Sequence, residues 1–167
     1  MIKKVKGFVA AVLLSFSLAG CNSGIEFNLS YNARGGFGYK EENGSVVVDV
    51  LKLVRSLQEL KDLCVEWNNP SFDENSLSFL SEFSQKIRSY DEDYFNNKIL
   101  IIYSFDRGHR IETKITGITV GGEHLTINAR HKTKRVTFTD ESFNWLILIE
   151  VSKTDILEAT TVQILYK

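Results

Sequence analysis

Four groups of residues in this chain carry side chains capable of chemistry. They are the cysteines Cys21 and Cys64, the histidines His109, His124 and His131, the acidic run Asp91-Glu92-Asp93, and the basic run Arg130-His131-Lys132-Thr133-Lys134-Arg135. A reactive thiol needs exposure and a nearby cation. Cys64 instead shares helical spacing with Leu57, Leu60 and Trp67, which puts it on a core-facing stripe. The histidines fall in or beside expected turns, and the chain has no His-Glu-x-x-His pattern that would place two ligands on one helix face. A calcium loop needs a glycine at its turn and ligands at alternate positions, which the acidic run lacks. It reads as the first turn of a short helix, where carboxylates complement the helix dipole. Gly-x-Ser-x-Gly, phosphate-loop and dinucleotide patterns are all missing from the sequence. The expectation is a chain that is not an enzyme, with no catalytic residues, no cofactor and no metal site.

The basic run is the exception to this bland inventory. Arg130, His131, Lys132, Lys134 and Arg135 put five basic or titratable side chains into six positions, at an expected β-turn. Such a patch can dock anionic lipid headgroups, cell-wall polymers or an acidic partner. The alternative is a solvated loop whose charges keep a strand edge from aggregating.

Cys21 follows a segment with the parts of an export signal in order. Lys3, Lys4 and Lys6 form a positive start, Phe8 to Phe16 is apolar apart from Ser15, and small residues lead to Leu18-Ala19-Gly20-Cys21. The apolar stretch is too short to span a bilayer, which takes about 20 helical residues. Those last four residues resemble the lipobox of bacterial lipoproteins. The resemblance implies that residues 1–20 are removed as a signal peptide and that the Cys21 sulfur carries a diacylglycerol anchor, with palmitate-type acyl chains. Two chains suffice for stable anchoring where one is marginal. The mature protein would then be membrane-bound and extracytoplasmic, on an inner or an outer membrane that the sequence does not distinguish. With Cys21 acylated, Cys64 has no partner for an internal disulfide.

Length and composition fit one globular domain. The chain has 167 residues, 43% of them hydrophobic and 25% charged, too apolar for a disordered polymer. Losing the three signal lysines takes the formal charge from −1 to −4. A mildly acidic body has no general attraction to nucleic acid. The Arg34-Gly35-Gly36-Phe37-Gly38-Tyr39 stretch occurs once and reads as a loop.

The elements that must position these residues follow from periodicity. Residues 21–45 are rich in Gly, Asn and Ser and suit a tether, whose full flexibility would let the body wander on the order of 25–30 Å. Ile25, Phe27, Leu29 and Tyr31 alternate with polar residues, so part of it can dock as an edge strand. Residues 46–167 form the domain. Val46–Val54 reads as a strand. Ser56-Leu57-Gln58-Glu59 forms a capping box for a helix ending near Trp67, before Asn68-Asn69-Pro70. Leu77, Leu80, Phe83 and Ile87 predict a second helix over 77–88. Ile99–Tyr103 and Phe143–Val151 are apolar on both faces, as covered central strands are. Parity shifts across Gly117, predicting a bulge, and Gly121-Gly122 predicts a hairpin turn. Val136 and Phe138 begin a further strand, and a last one spans Val162–Tyr166. The resulting expectation is α+β: two N-terminal helices packed on a mainly antiparallel, sandwich-like C-terminal sheet.

Residues 90–156 resemble the C-terminal domain of PrcB-type proteins, named after a subunit of a secreted bacterial protease complex. The carriers are Tyr90-Asp91-Glu92-Asp93-Tyr94-Phe95, the strand from Ile99, the hairpin 110–130 and Trp145-Leu146-Ile147-Leu148-Ile149-Glu150-Val151. The family usually has a glycine-rich turn before the hairpin; here Asp106-Arg107-Gly108-His109 holds one glycine. The resemblance implies a non-catalytic role: binding or regulating another envelope protein, a protease among the candidates. The other class kept open is an envelope hydrolase acting on cell-surface material. A pocket gathering a histidine and two carboxylates would favour that class. Oligomeric state is not legible.

Overall fold

A computed structural model describes residues 24–108, 111–133 and 141–167. The longest apolar runs become neighbouring strands. β5 (Lys98–Gly108) and β8 (Ser142–Ser152) pair antiparallel over eleven positions, from Lys98 opposite Ser152 to Gly108 opposite Ser142. β1 (Phe27–Arg34) flanks β8, and β4 (Val50–Val54) flanks β5, giving a four-stranded antiparallel sheet. Being covered on both faces, β5 and β8 have no solvent side to keep polar.

A second sheet holds β6 (Ile111–Gly121), β7 (His124–Thr133) and β9 (Thr161–Tyr166). β6 and β7 form a hairpin whose turn has Gly122 at φ +60°. Their register shifts between Ile115 and Gly117, which is the bulge that the parity change signals. β9 pairs parallel to β7. The reason is topological. β8 ends at the end of the sandwich where β7 begins, and the short passage through a 3₁₀ turn at Lys153–Ile156 starts β9 from that same end.

The expected α+β arrangement is not what forms. Half of the described residues are strand and 22% helix, so the body is predominantly β. Among the described residues, four strands precede the first helix: β1, the small ribbon of β2 (Lys40–Glu42) and β3 (Ser45–Val47), and β4. The helices lie mid-chain and are short: α1 (Leu57–Glu66), α2 (Glu82–Arg88) and α3 (Glu92–Asn97). The single strand expected over Val46–Val54 divides, because Val46 pairs within the ribbon while Val50 begins pairing with β5. The second helix is shorter than its periodicity suggested. Leu77 and Leu80 are exposed in turns, and Ser81 caps the helix by accepting from the Ser84 amide. The sandwich-like antiparallel character is retained in part, as two facing sheets.

The four-stranded sheet separates two apolar layers. Leu100, Ile102, Leu146 and Leu148 face the helices, packing with Leu60, Cys64, Trp67, Ile87 and Tyr90. Ile99, Ile101, Ile147 and Ile149 face the second sheet, packing with Ile118, Leu125 and Ile127. Ser56 caps α1 by accepting from the Glu59 amide at 3.1 Å, as its box predicts. Glu59 reaches one residue further back than expected and accepts from the Arg55 amide at 2.6 Å.

The Gly-rich stretch expected to be tether is largely docked. β1 begins at Phe27, and the Ile25 amide already donates to the Ile118 carbonyl at 2.9 Å. Phe37 is buried, and its amide donates to Ser104 Oγ at 3.2 Å. Gly38 lies so close under α1 that any Cβ would strike the Trp67 carbonyl oxygen.

Candidate functional site

Alternation along β7 divides the basic run. Leu125, Ile127 and Ala129 are buried between the sheets. His131 continues that parity at the open mouth of the sandwich, while Arg130 and Lys132 project from the opposite, outer face. The expected turn is not where these three residues lie: β7 runs through Thr133. Across the hairpin Arg130 stands opposite Lys114, and Lys132 opposite Glu112. All of these side chains are exposed. Lys134 and Arg135 lie outside the described residues, as do Cys21, His109 and the strand expected from Val136.

His131 stacks on Tyr166, ring centres 4.1 Å apart, and its Nδ1 lies 3.3 Å from Thr113 Oγ1. Burial, and then the charge of Arg107, lower its pKa below the ordinary imidazole value. At neutral pH it is a neutral ring and adds no charge to the patch.

The structure adds cations that sequence reasoning missed. On β5, Tyr103, Phe105 and Arg107 share the face toward the second sheet. Tyr103 stacks on Phe105 at 4.2 Å, and its hydroxyl hydrogen-bonds that of Tyr166. Arg107 lies 5.5 Å from the Tyr166 ring centre and 5.9 Å from that of Phe105. Its buried Nε–H finds no hydrogen-bond acceptor among the described residues. Arg34, at the end of β1, sits 4.4 Å over Phe143 and 5.9 Å from Trp145. Rings that carry a guanidinium on their faces orient it, and Asp49 lies near enough to Arg107 to act on its charge. The signal for this array was the i, i+2 spacing of Tyr103, Phe105 and Arg107. Its meaning depended on pairing β5 with β8 and bringing up the distant Tyr166.

The opposite end holds a cleft of about 420 Å³, lined by Glu26, Asn28, Asn97, Lys98, Glu150 and Asp155 among others. Glu150 is buried in the middle of an apolar strand. It accepts from Lys98 Nζ at 3.2 Å, Lys86 Nζ at 3.4 Å, Asn28 Nδ2 at 3.4 Å and the Tyr90 hydroxyl at 3.4 Å. Burial pushes its pKa up, but hydrogen bonds from Lys98, Asn28 and Ser30 and the Lys86 charge outweigh that and hold it below the usual value. An ionised carboxylate with two ammonium partners is a poor proton donor at neutral pH. Its geometry clamps β1, α2 and β5 to β8. The described histidines lie elsewhere: His131 at the far mouth, and His124 against Thr161 Oγ1 at 2.7 Å. The carboxylates in this cleft therefore gather without a described histidine.

The acidic run caps a helix. Asp91 Oδ1 accepts from the Tyr94 amide at 2.9 Å, and Glu92 and Asp93 occupy the first turn of α3. Among the described residues no group of three His, Cys, Asp or Glu side chains could hold a metal ion, and no helix is long and apolar enough to cross a membrane.

Comparison of the chain with protein-family models, curated proteins and solved structures finds no match to any of them.

Proposed function

We propose that this chain is a lipid-anchored, extracytoplasmic protein-binding module that acts by association and not by catalysis. One observation carries the binding half of this reading: the ring-supported guanidiniums of Arg34 and Arg107, with Arg130 and Lys132 at the same end of the sandwich on the outer face of the second sheet. Preoriented cations on paired strands lose little entropy on binding, which is what a recognition surface needs. The anchoring half rests on the signal-like segment and the lipobox ending at Cys21. The PrcB-type resemblance implies a protein partner and names a protease as one candidate.

A second reading, an envelope hydrolase, is favoured by the cleft that gathers Glu26, Glu150 and Asp155. The double lysine pairing of Glu150 weighs against it.

Photocrosslinking in the producing cells separates the two. A photoreactive residue at Lys132 should give one discrete adduct with an envelope protein, and one at exposed Leu77 should not. Absence of any adduct, together with cleavage of envelope polymers by the purified protein that Glu150→Gln abolishes, would replace the binding reading with the hydrolase.

A further inference from the structure

The chain enters the body at one end of the sandwich and is fixed almost at once. The Ile25 amide donates to the Ile118 carbonyl at 2.9 Å, and β1 begins its pairing with β8 at Phe27. Cys21 stands three residues before Gly24, so the chain reaches at most about 11 Å between them. Gly24, Ile25, Glu26, Val120 and Asp155 line one depression at this end. Leu157 follows two residues after Asp155, just past the 3₁₀ turn at Lys153–Ile156, and is 64% exposed. The Thr160 and Thr161 amides both donate to the Glu123 carbonyl, which ties this segment to the β6–β7 turn. Val120 and Leu157 are therefore exposed apolar side chains beside the point of chain entry. Charge at this end is mixed: Glu26, Glu123, Asp155 and Glu158 share it with Arg55, Lys98 and Lys153.

We propose that this entry end is the surface that rests on the bilayer, with Val120 and Leu157 in the headgroup region. The proposal rests on the anchoring read for Cys21. A diacylglycerol on Cys21 brings the bilayer surface within about 11 Å of Gly24. The entry end cannot leave the interface on so short a leash. An apolar side chain held there gains free energy in proportion to the area it removes from water. Two acyl chains already suffice for stable attachment. The apolar contact therefore sets how the body stands, not whether it stays. Mixed charge gives this end no preference for anionic lipid, so its occupant is the interface of a bilayer whatever the net charge of the headgroups. The eleven residues of β5 span about 33 Å. A sandwich standing on its entry end holds Lys132, Arg34 and Arg107 that far from the lipid.

The test uses the full lipidated protein in phosphatidylcholine vesicles, with and without phosphatidylglycerol. A chain that fails to float with the vesicles overturns the anchor, and the orientation with it. A fluorophore is placed at Glu123→Cys or at Lys132→Cys; Cys64 is buried and needs no replacement. In floating protein a headgroup quencher should remove most of the emission of the Glu123 label and spare the Lys132 label. Equal quenching would show a body lying on its side, and stronger quenching at Lys132 an inverted one. Either result overturns the orientation and leaves the anchor standing. Adding Leu157→Glu should restore part of the emission of the Glu123 label, with flotation and thermal midpoint unchanged. If that variant does not fold, Leu157→Ser should act in the same direction. Quenching indifferent to both would overturn the apolar contact. The pattern should be the same in both vesicle compositions and should survive high salt. A contact that needs phosphatidylglycerol and is released by salt would assign the surface to charge and overturn the apolar contact as well.

Discussion

Glu150 sits in an apolar strand where a charged side chain must find partners or unfold its surroundings. It finds Lys86, Lys98, Asn28 and Tyr90, and the clamp they form predicts its own pH dependence. The folded carboxyl titrates below its ordinary value. Its stabilising contribution is therefore complete above the unfolded carboxylate pKa of about 4.3 and is lost as pH falls through the lower folded value. Glu150→Gln should cost about 1–3 kcal/mol at neutral pH. The gap between wild type and variant should close in acid, which chemical denaturation at several pH values measures. A gap that stays constant as the solution is acidified would assign the loss to packing. Cys64 makes the opposite case, an apolar thiol in an apolar layer. Burial pushes it up to about 12. Its reaction with thiol reagents at neutral pH should be on the order of a thousandfold slower in the folded than in the denatured protein. Comparable rates would place it at the surface.

At the scale of elements, the strand most open to challenge is β1. Its composition suits a tether, yet it pairs with β8 from Phe27 opposite Val151 to Arg34 opposite Trp145. Hydrogen exchange followed by mass spectrometry should find the paired β1 amides protected at least about a hundredfold over a free chain, as expected of a docked strand. Exchange at the free-chain rate would return residues 27–34 to a tether. Residues that announce themselves by local period were legible: the doubly apolar β5 and β8, the bulge before Gly117, the Ser56 cap and the core face of Cys64. The helices were overestimated because Leu77 and Leu80 carry a helical spacing that turns also satisfy. The candidate site was legible only in part. Arg130, His131 and Lys132 stood out as a run, but strand alternation sends His131 inward, away from the other two. Arg107 meets Tyr166, and Arg34 meets Phe143 and Trp145, through pairings of distant segments that no local pattern encodes.

The described residues form a sandwich of two main sheets with a helical layer on one outer face. The location proposed for this chain depends on attachment at Cys21. The most direct measurement is the intact mass of the protein extracted by detergent from the membranes of the cells that make it. The account predicts a chain of residues 21–167 carrying a diacylglyceryl group on Cys21, and loss of both the processing and the added mass in Cys21→Ser. An unmodified full-length chain of 19.0 kDa, or a chain cut elsewhere with a free Cys21 thiol, would contradict it.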